Sequence, residues 1–202
     1  MKPHRIQVRF VLDVPETFSP GHVVPVFHRW IREGRTDIVL LDVADYRHVH
    51  RGPGIVLVGH EADFAVDSAG GTLGFRYTRK RDVAGTLSGA VAQALVAAAA
   101  GVRTLLEDLK ASPSIVRADA FELTLVDTLH YPNDEASLQQ VSETLGQLFA
   151  GAGLGAPRTA RSASDPRGPL ALQVSVAGVT GVRVYEDALA ALLQTEALHE
   201  AA

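Results

Sequence analysis

The chain has 202 residues, of which 47% are hydrophobic and 21% charged, and its net charge is −4 with neutral histidines. Such a chain is typical of one large globular domain or two small ones, and it can bury roughly 70% of its unfolded surface without a metal or a disulfide. It contains no cysteine, which excludes disulfides, thiolate metal sites and a cysteine nucleophile and fits a reducing compartment.

The chain shows no targeting or membrane-spanning signal. The opening residues MKPHRIQVRF lack the apolar stretch of a signal peptide. The best apolar window, 90–102, is too short to cross a membrane. We therefore expect a cytoplasmic protein without a membrane partner.

The first half of the chain is predicted to contain several strands and one helix. Residues 6–13 alternate apolar and polar side chains, so that Gln7 and Arg9 would face solvent. A helix is predicted to begin at Pro25, since proline suits the first helical position, and to end at Gly34. The further predicted strands of this half are 38–43, 55–67 and 73–77.

The second half repeats the order of strand, proline-containing break, helix and strand. Residues 121–127 and 170–176 alternate as strands do, and apolar residues recur at helical spacing over 138–148. A short edge strand is predicted over 158–163 and a last helix over 185–198. An ancestral duplication and a chance recurrence of common α+β units both explain the likeness of the halves.

The longest predicted helix, 83–109, lies between the halves and carries a continuous apolar stripe. The alanines at 97–100 are too small to fill space, so a neighbouring element can approach closely there. That neighbour is predicted to be either a sheet face or the same helix of a second subunit. Residues 111–114, which include a proline, are the predicted linker between the halves.

These patterns predict an α+β fold with mostly antiparallel sheet, at least six strands and four helices. Strands that alternate are half-buried, as in antiparallel sheets, whereas βαβ crossovers give continuous apolar strands. We expect an N-terminal half, 1–110, and a C-terminal half, 115–202, that pack through the 83–109 helix as one compact unit.

The segment 37–67 concentrates chemically capable side chains near predicted strand ends. The candidate ligands are Asp42, Asp45, His48, His50, His60 and Glu61. On an extended segment His48 and His50 lie on the same side and could chelate a divalent transition metal, with His60 joining them if the turn at 52–54 folds back. A His-x-His pair alone is a weak signal, however, and the favoured interpretation is an exposed loop with two solvated histidines.

His60 and Glu61 resemble a catalytic pair in sequence. If 55–67 is one strand, however, consecutive side chains point to opposite faces, and only a bulge near Gly59 could bring the two together. His60 would share the apolar face. We therefore expect a buried neutral imidazole, whose replacement by alanine would cost about 1–3 kcal/mol.

A basic run follows the fourth predicted strand. It contains Arg76, Arg79, Lys80 and Arg81. The favoured interpretation is a solvated strand end, and the alternative is a patch that contacts phosphate. Because the chain is acidic overall, nucleic-acid binding is not expected. No HExxH, P-loop or GxSxG motif occurs, and no cofactor is predicted.

Three stretches, VPVFHRWI from Val24, LLDVADYRHV from Leu40 and GPGIVLVGHEADFAVD from Gly52, resemble a bacterial family of uncharacterised proteins. The resemblance covers mainly the first 80 residues. It implies a bacterial protein, and it implies no particular activity, cofactor or partner.

The patterns favour a non-enzymatic soluble module that acts through self-association or by binding a partner or ligand. A two-fold dimer is the commonest soluble oligomer, so we expect a homo-oligomer and most simply a dimer. The alternative is a metal-dependent enzyme, or a small-ligand site, built on residues 42–60.

Overall fold

A computed structural model describes residues 3–50, 52–81, 85–162 and 165–200, with side chains as far as residue 194. Within these residues it contains eight strands and four α-helices, and every strand pairing is antiparallel. The strands are β1 Ile6–Val11, β2 Leu40–Asp45, β3 Ile55–Gly59, β4 Ala62–Asp67, β5 Gly74–Arg79, β6 Ala120–Leu125, β7 Pro157–Arg161 and β8 Leu170–Val176. The helices are α1 Val23–Glu33, α2 Leu87–Leu109, α3 Glu135–Gly151 and α4 Arg183–Glu200. The predicted α+β fold is confirmed.

All eight strands form one sheet in the order β2-β3-β4-β5-β1-β6-β8-β7. The strands from each half of the chain are therefore contiguous, and β1 and β6 meet at the junction. In that pairing Ile6 lies opposite Leu125 and Arg9 lies opposite Glu122. The sheet is thus continuous from one half of the chain to the other.

Aromatic contacts place α1, α3 and α4 on the same face of the sheet. The ring of Trp30 in α1 lies 5.7 Å from that of Phe64 in β4. In α4, Tyr185 lies 5.8 Å from Phe121 of β6, and Phe149 of α3 lies 6.4 Å from the same ring. Strand side chains on this face form the hydrophobic core with the helices. Burial therefore follows the alternation seen in the sequence.

The helix α2 packs very closely on this face of the sheet. A Cβ added to Gly101 would lie only 2.8 Å from the ring of Phe64. Ala94, Ala98 and Ala99 are buried against the rest of the chain. The sheet is thus one neighbour of this part of α2, and contact with the same helix of a second subunit stays a prediction. The predicted start of the helix at residue 83 lies outside the described residues.

In the described residues α2 is also the one helix long and apolar enough to cross a membrane, by length and composition alone. Its most apolar window is 67% buried inside the protein, as is typical of the core helix of a soluble protein.

The first helix begins at Val23, two residues before the predicted start at Pro25. It ends as predicted at Gly34, which adopts the left-handed conformation with φ of 60°. Trp30 is fully buried, and its indole N–H donates to Asp108 at the end of α2 over 2.7 Å. This bond fixes α1 against α2.

The single strand predicted over 55–67 is wrong, because the segment is a hairpin of β3 and β4 with His60 and Glu61 in its turn. The backbone is crowded at this turn, where a Cβ on Gly59 would lie 2.4 Å from the carbonyl oxygen of Ala62. The Gly59 N–H also donates to the carboxylate of Asp63. Apolar side chains continue in alternation across the turn, so periodicity alone does not reveal it.

The face of the sheet without helices carries a buried ion-pair network. Arg9 is only 7% exposed, although the sequence predicted that it faces solvent. Its Nε donates to Asp67 over 2.8 Å, and its Nη2 donates to the carbonyl oxygen of Thr72 over 2.6 Å. Arg76 approaches the other carboxylate oxygen of Asp67 at 3.1 Å. Two arginines therefore share one carboxylate that is 2% exposed.

Replacing Arg9 with methionine should destabilise the fold by about 3 kcal/mol or more, because it removes the closest partner of the buried Asp67 carboxylate. Urea unfolding of the variant measures this loss. Arg158→Met, at an exposed position on the edge strand β7, is the matched control and should change the free energy of unfolding by less than about 0.5 kcal/mol. Equal losses in both variants would contradict the importance assigned to the network.

Candidate functional site

The predicted histidine ligands lie at opposite ends of β3. His48 and His50 are exposed in the loop before this strand, whereas His60 follows its last residue. A strand of five residues spans about 16 Å. His60 therefore does not converge with the other two histidines.

The two aspartates of the predicted metal site already have partners nearby in the sequence. The carboxylate of Asp42 accepts the N–H of Val43 over 2.7 Å. Asp45 pairs with Arg47 at 2.6 Å, and this hydrogen-bonded guanidinium lowers the pKa of Asp45 to about 2. In the part of the chain that the structure describes, neither aspartate belongs to a three-residue group with metal-binding spacing.

His60 is exposed in the β3–β4 turn, so the predicted buried imidazole is wrong. Its Nε2 lies 3.0 Å from Nη1 of Arg81. The neighbouring Glu61 pairs with Arg79 at 3.2 Å. Each member of the suggested catalytic pair thus contacts a different arginine, one at the end of β5 and one just after it.

The basic run is largely compensated by acids of the β3–β4 hairpin. Lys80 pairs with Asp63 at 2.7 Å, and Arg79 pairs with Glu61. Arg76 pairs with the buried Asp67 on the uncovered sheet face. A phosphate would have to compete with these carboxylates, which weakens the alternative prediction of a phosphate-contacting patch.

A pocket of about 420 Å³ that is open to solvent on one side is here called the α1–α2 cavity. It lies between α2 and the turn after α1, next to β4 and β5. Phe64 and Tyr77 contribute from the strands, and four alanines of α2 form an apolar wall. These alanines are Ala90, Ala94, Ala97 and Ala100.

Polar side chains from three elements also line the α1–α2 cavity. Arg103 of α2 is held by a bidentate pair with Glu186 of α4, at 2.9 and 3.1 Å. Arg35, from the turn after α1, makes a longer contact of 3.4 Å with Asp108 and is 40% exposed. Gln93 is exposed on α2 and, among the described residues, its amide makes no hydrogen bond.

Burial raises the pKa of Tyr77, and this effect exceeds the opposing hydrogen bond from Arg79. The phenol therefore stays neutral at physiological pH. The neutral phenol of Tyr77 forms part of the cavity wall and does not act as a proton acceptor.

A second, wider depression of about 1030 Å³ is bounded by part of the segment that the sequence singled out. Tyr46, Arg47 and His50 line it from the β2–β3 loop, and Arg76 lines it from β5. A glycine-rich turn at 69–71 forms another side. His50 is the one predicted histidine ligand that lines this depression.

No motif in the sequence marks the lining of the α1–α2 cavity as a site. The run of alanines in α2 was the one sequence feature that pointed to it. Small side chains allow either the close approach of another element or a cavity, and the sequence does not distinguish the two. Arg35 and Arg103 lie 68 positions apart in the sequence, so no local motif joins them.

No protein-family model matches the chain, and no curated protein is significantly similar to it.

Replacing His60 with alanine should change the free energy of unfolding by less than about 0.5 kcal/mol, because the side chain is exposed and fills no core space. Thermal and urea unfolding of the variant measure the change. A loss of 1 kcal/mol or more, as expected for a buried imidazole, would contradict the exposed position.

Proposed function

We propose that the protein is a non-enzymatic binding module that holds a small, mainly apolar molecule with one acidic group in the α1–α2 cavity. The observation that carries this proposal is an apolar wall of small side chains facing several convergent donors in a cavity of about 420 Å³. Ligand sites in proteins usually have this character and a volume of roughly 300–1,000 Å³.

The wall of the cavity supports an apolar ligand body. The methyl groups of Ala94 and Ala97 and the ring of Phe64 offer no hydrogen bonds. Water beside such a surface is readily displaced by apolar groups, with a gain of about 25 cal/mol for each Å² removed from solvent.

The polar lining supports an acidic group on the ligand. Donors outnumber acids, because three arginines line the cavity and Asp37 is its one carboxylate. Arg35 is the best placed to engage a ligand, since its contact with Asp108 is long and half its hydrogen-bonding capacity or more is unused. A guanidinium can bind a carboxylate through two parallel hydrogen bonds.

The same lining supports binding rather than catalysis. It contains no histidine, serine or lysine, and its one carboxylate has no second acid beside it in the lining. Catalytic sites most often use a histidine, a pair of carboxylates or a nucleophile hydrogen-bonded to a base, and the lining offers none of these among the described residues. The proposal of a non-enzymatic module rests on this composition.

Energy transfer from the single tryptophan provides a direct test. Trp30 packs against Phe64, which lines the cavity, with ring centroids 5.7 Å apart. The probe 8-anilinonaphthalene-1-sulfonate has an apolar body and one anionic group. When this probe binds in the cavity, it should accept energy from Trp30 and quench the tryptophan emission in a saturable manner. Added 1-naphthoate, which also has an apolar body and one anionic group, should displace the probe and lower the probe's own emission.

Ala97→Phe should abolish this saturable quenching, because a phenyl ring would occupy the cavity. Ala136→Phe is the matched control, since it makes the same change at an exposed position of α3. Circular dichroism verifies that both variants are folded. Equal probe affinity in Ala97→Phe and the wild-type protein would refute the proposed site.

Self-association is a second candidate function, favoured by the distribution of exposed apolar side chains. Four of the six large ones in the described residues lie on or beside the edge strand β2. They are Val39, Leu41, Tyr46 and Val49. A bulge in the pairing of β2 with β3 interrupts the strand next to Leu41, and the carboxylate of Asp42 caps a backbone N–H. Contact through side chains therefore suits this edge better than an added strand.

Light scattering should detect a species larger than the 21.5 kDa chain at micromolar concentration. Leu41→Glu should shift it toward the monomer, because it places a charge within the apolar patch. Leu129→Glu alters another exposed leucine, which lies in the turn before α3, and should leave the mass unchanged. A monomeric wild-type protein across a dilution series would count against this second function.

A further inference from the structure

The pairing of β1 with β6 brings together three side chains that are far apart in the sequence. Ile6 lies opposite Leu125, and continuing this register by two residues places His4 beside Asp127. The turn after β6 brings His130 next to these two residues, and the backbone N–H of His130 donates to the carboxylate of Asp127. One potential ligand atom from each of these residues lies within 4.8 Å of the other two.

The carboxylate of Asp127 is fixed in position. Its side chain is 6% exposed. One oxygen accepts the backbone N–H of His4 at 3.1 Å and faces Nδ1 of His130 at 2.8 Å, while the other accepts the backbone N–H of His130. Burial by itself would raise the pKa of Asp127, but the hydrogen bonds from His130 and His4 outweigh it and leave the pKa below its ordinary value.

We propose that His4, Asp127 and His130 bind one divalent transition-metal ion. Two imidazoles and one carboxylate suit ions such as zinc, cobalt or nickel, whereas calcium and magnesium prefer oxygen ligands alone. Three protein ligands leave at least one coordination position for water, as in open metal sites.

The present spacing requires only small side-chain movements to accept such an ion. Ligand atoms about 2.1 Å from a tetrahedral zinc ion lie about 3.4 Å from one another. The rings of His4 and His130 stack with centroids 5.3 Å apart and planes inclined by 27°, so one ion cannot lie in both planes until a ring turns. His4 is exposed, and its ring makes no hydrogen bond in the described residues, so it can turn.

The carboxylate can also accommodate the ion. Two carboxylate oxygens offer about four acceptor positions, and three hydrogen bonds are made to those of Asp127. An ion held between Asp127 and Nδ1 of His130 replaces the contact between these two groups and leaves both backbone N–H bonds to the carboxylate in place.

Titration with cobalt(II) and zinc(II) tests the site, using metal-stripped protein from which any affinity tag has been removed. Cobalt bound by imidazole and carboxylate ligands gives a visible absorption band, which zinc should displace. We expect one ion for each chain. His4→Ala should weaken binding about 100-fold or more, and His130→Ala should do the same.

The matched control is the double variant His48→Ala/His50→Ala, which removes two exposed histidines from the β2–β3 loop. It should bind cobalt like the wild-type protein. The proposal is overturned if the wild-type protein gives no cobalt band, if His4→Ala binds as tightly as the wild-type protein, or if the double variant alone loses binding. Because His4 is exposed, loss of binding in His4→Ala would not reflect unfolding, and circular dichroism checks this.

Discussion

The antiparallel pairing of β1 with β6 is the constraint on which the rest of the structure depends. It joins two groups of strands that each belong to one half of the chain into a continuous sheet. Without it, each half would expose an edge strand whose backbone groups need partners. The pairing also fixes which side chains of the two strands share a face, so that Phe10 and Phe121 pack 6.0 Å apart beneath α4.

Placing the helices on one face imposes a second constraint on the sheet. In the described residues no helix covers the opposite face, yet Arg9 and Asp67 are buried on it by neighbouring side chains. Burying either charge alone would cost several kcal/mol of folding free energy, and the hydrogen bond between the two offsets that cost. The pairing of Lys80 with Asp63 follows the same principle at the hairpin. Much of the charge that the sequence offered as a binding patch therefore serves the sheet itself.

Local periodicity explains which parts of the fold could be predicted from the sequence. The alternation in β1, β6 and β8 and the apolar spacing of α1, α2 and α3 depend on neighbours within a few residues, so these elements were identified. The β3–β4 turn was missed because Gly59 suggested a bulge and the apolar alternation continues past it. Arg9 was misplaced because its burial depends on Asp67, a partner 58 positions away.

The candidate sites depend on register and could not be predicted in the same way. His48 and His50 are close in sequence, which made them visible as possible ligands. His4 lies 123 positions from Asp127, and only the pairing of β1 with β6 makes them neighbours. The sequence contains both side chains, but it does not reveal the strand order that brings them together.

The small residues of α2 connect the packing of the fold with its proposed function. Gly101 lets the helix approach Phe64 and Phe75 closely, because a Cβ there would lie within 2.9 Å of both rings. One turn earlier, Ala97 lines the α1–α2 cavity. A larger apolar residue at this position would occupy part of the cavity and remove apolar surface from solvent, with a gain of about 25 cal/mol for each Å². Close packing of α2 thus accounts for the glycine, whereas a bound ligand that supplies the missing contacts would account for the alanines beside the cavity.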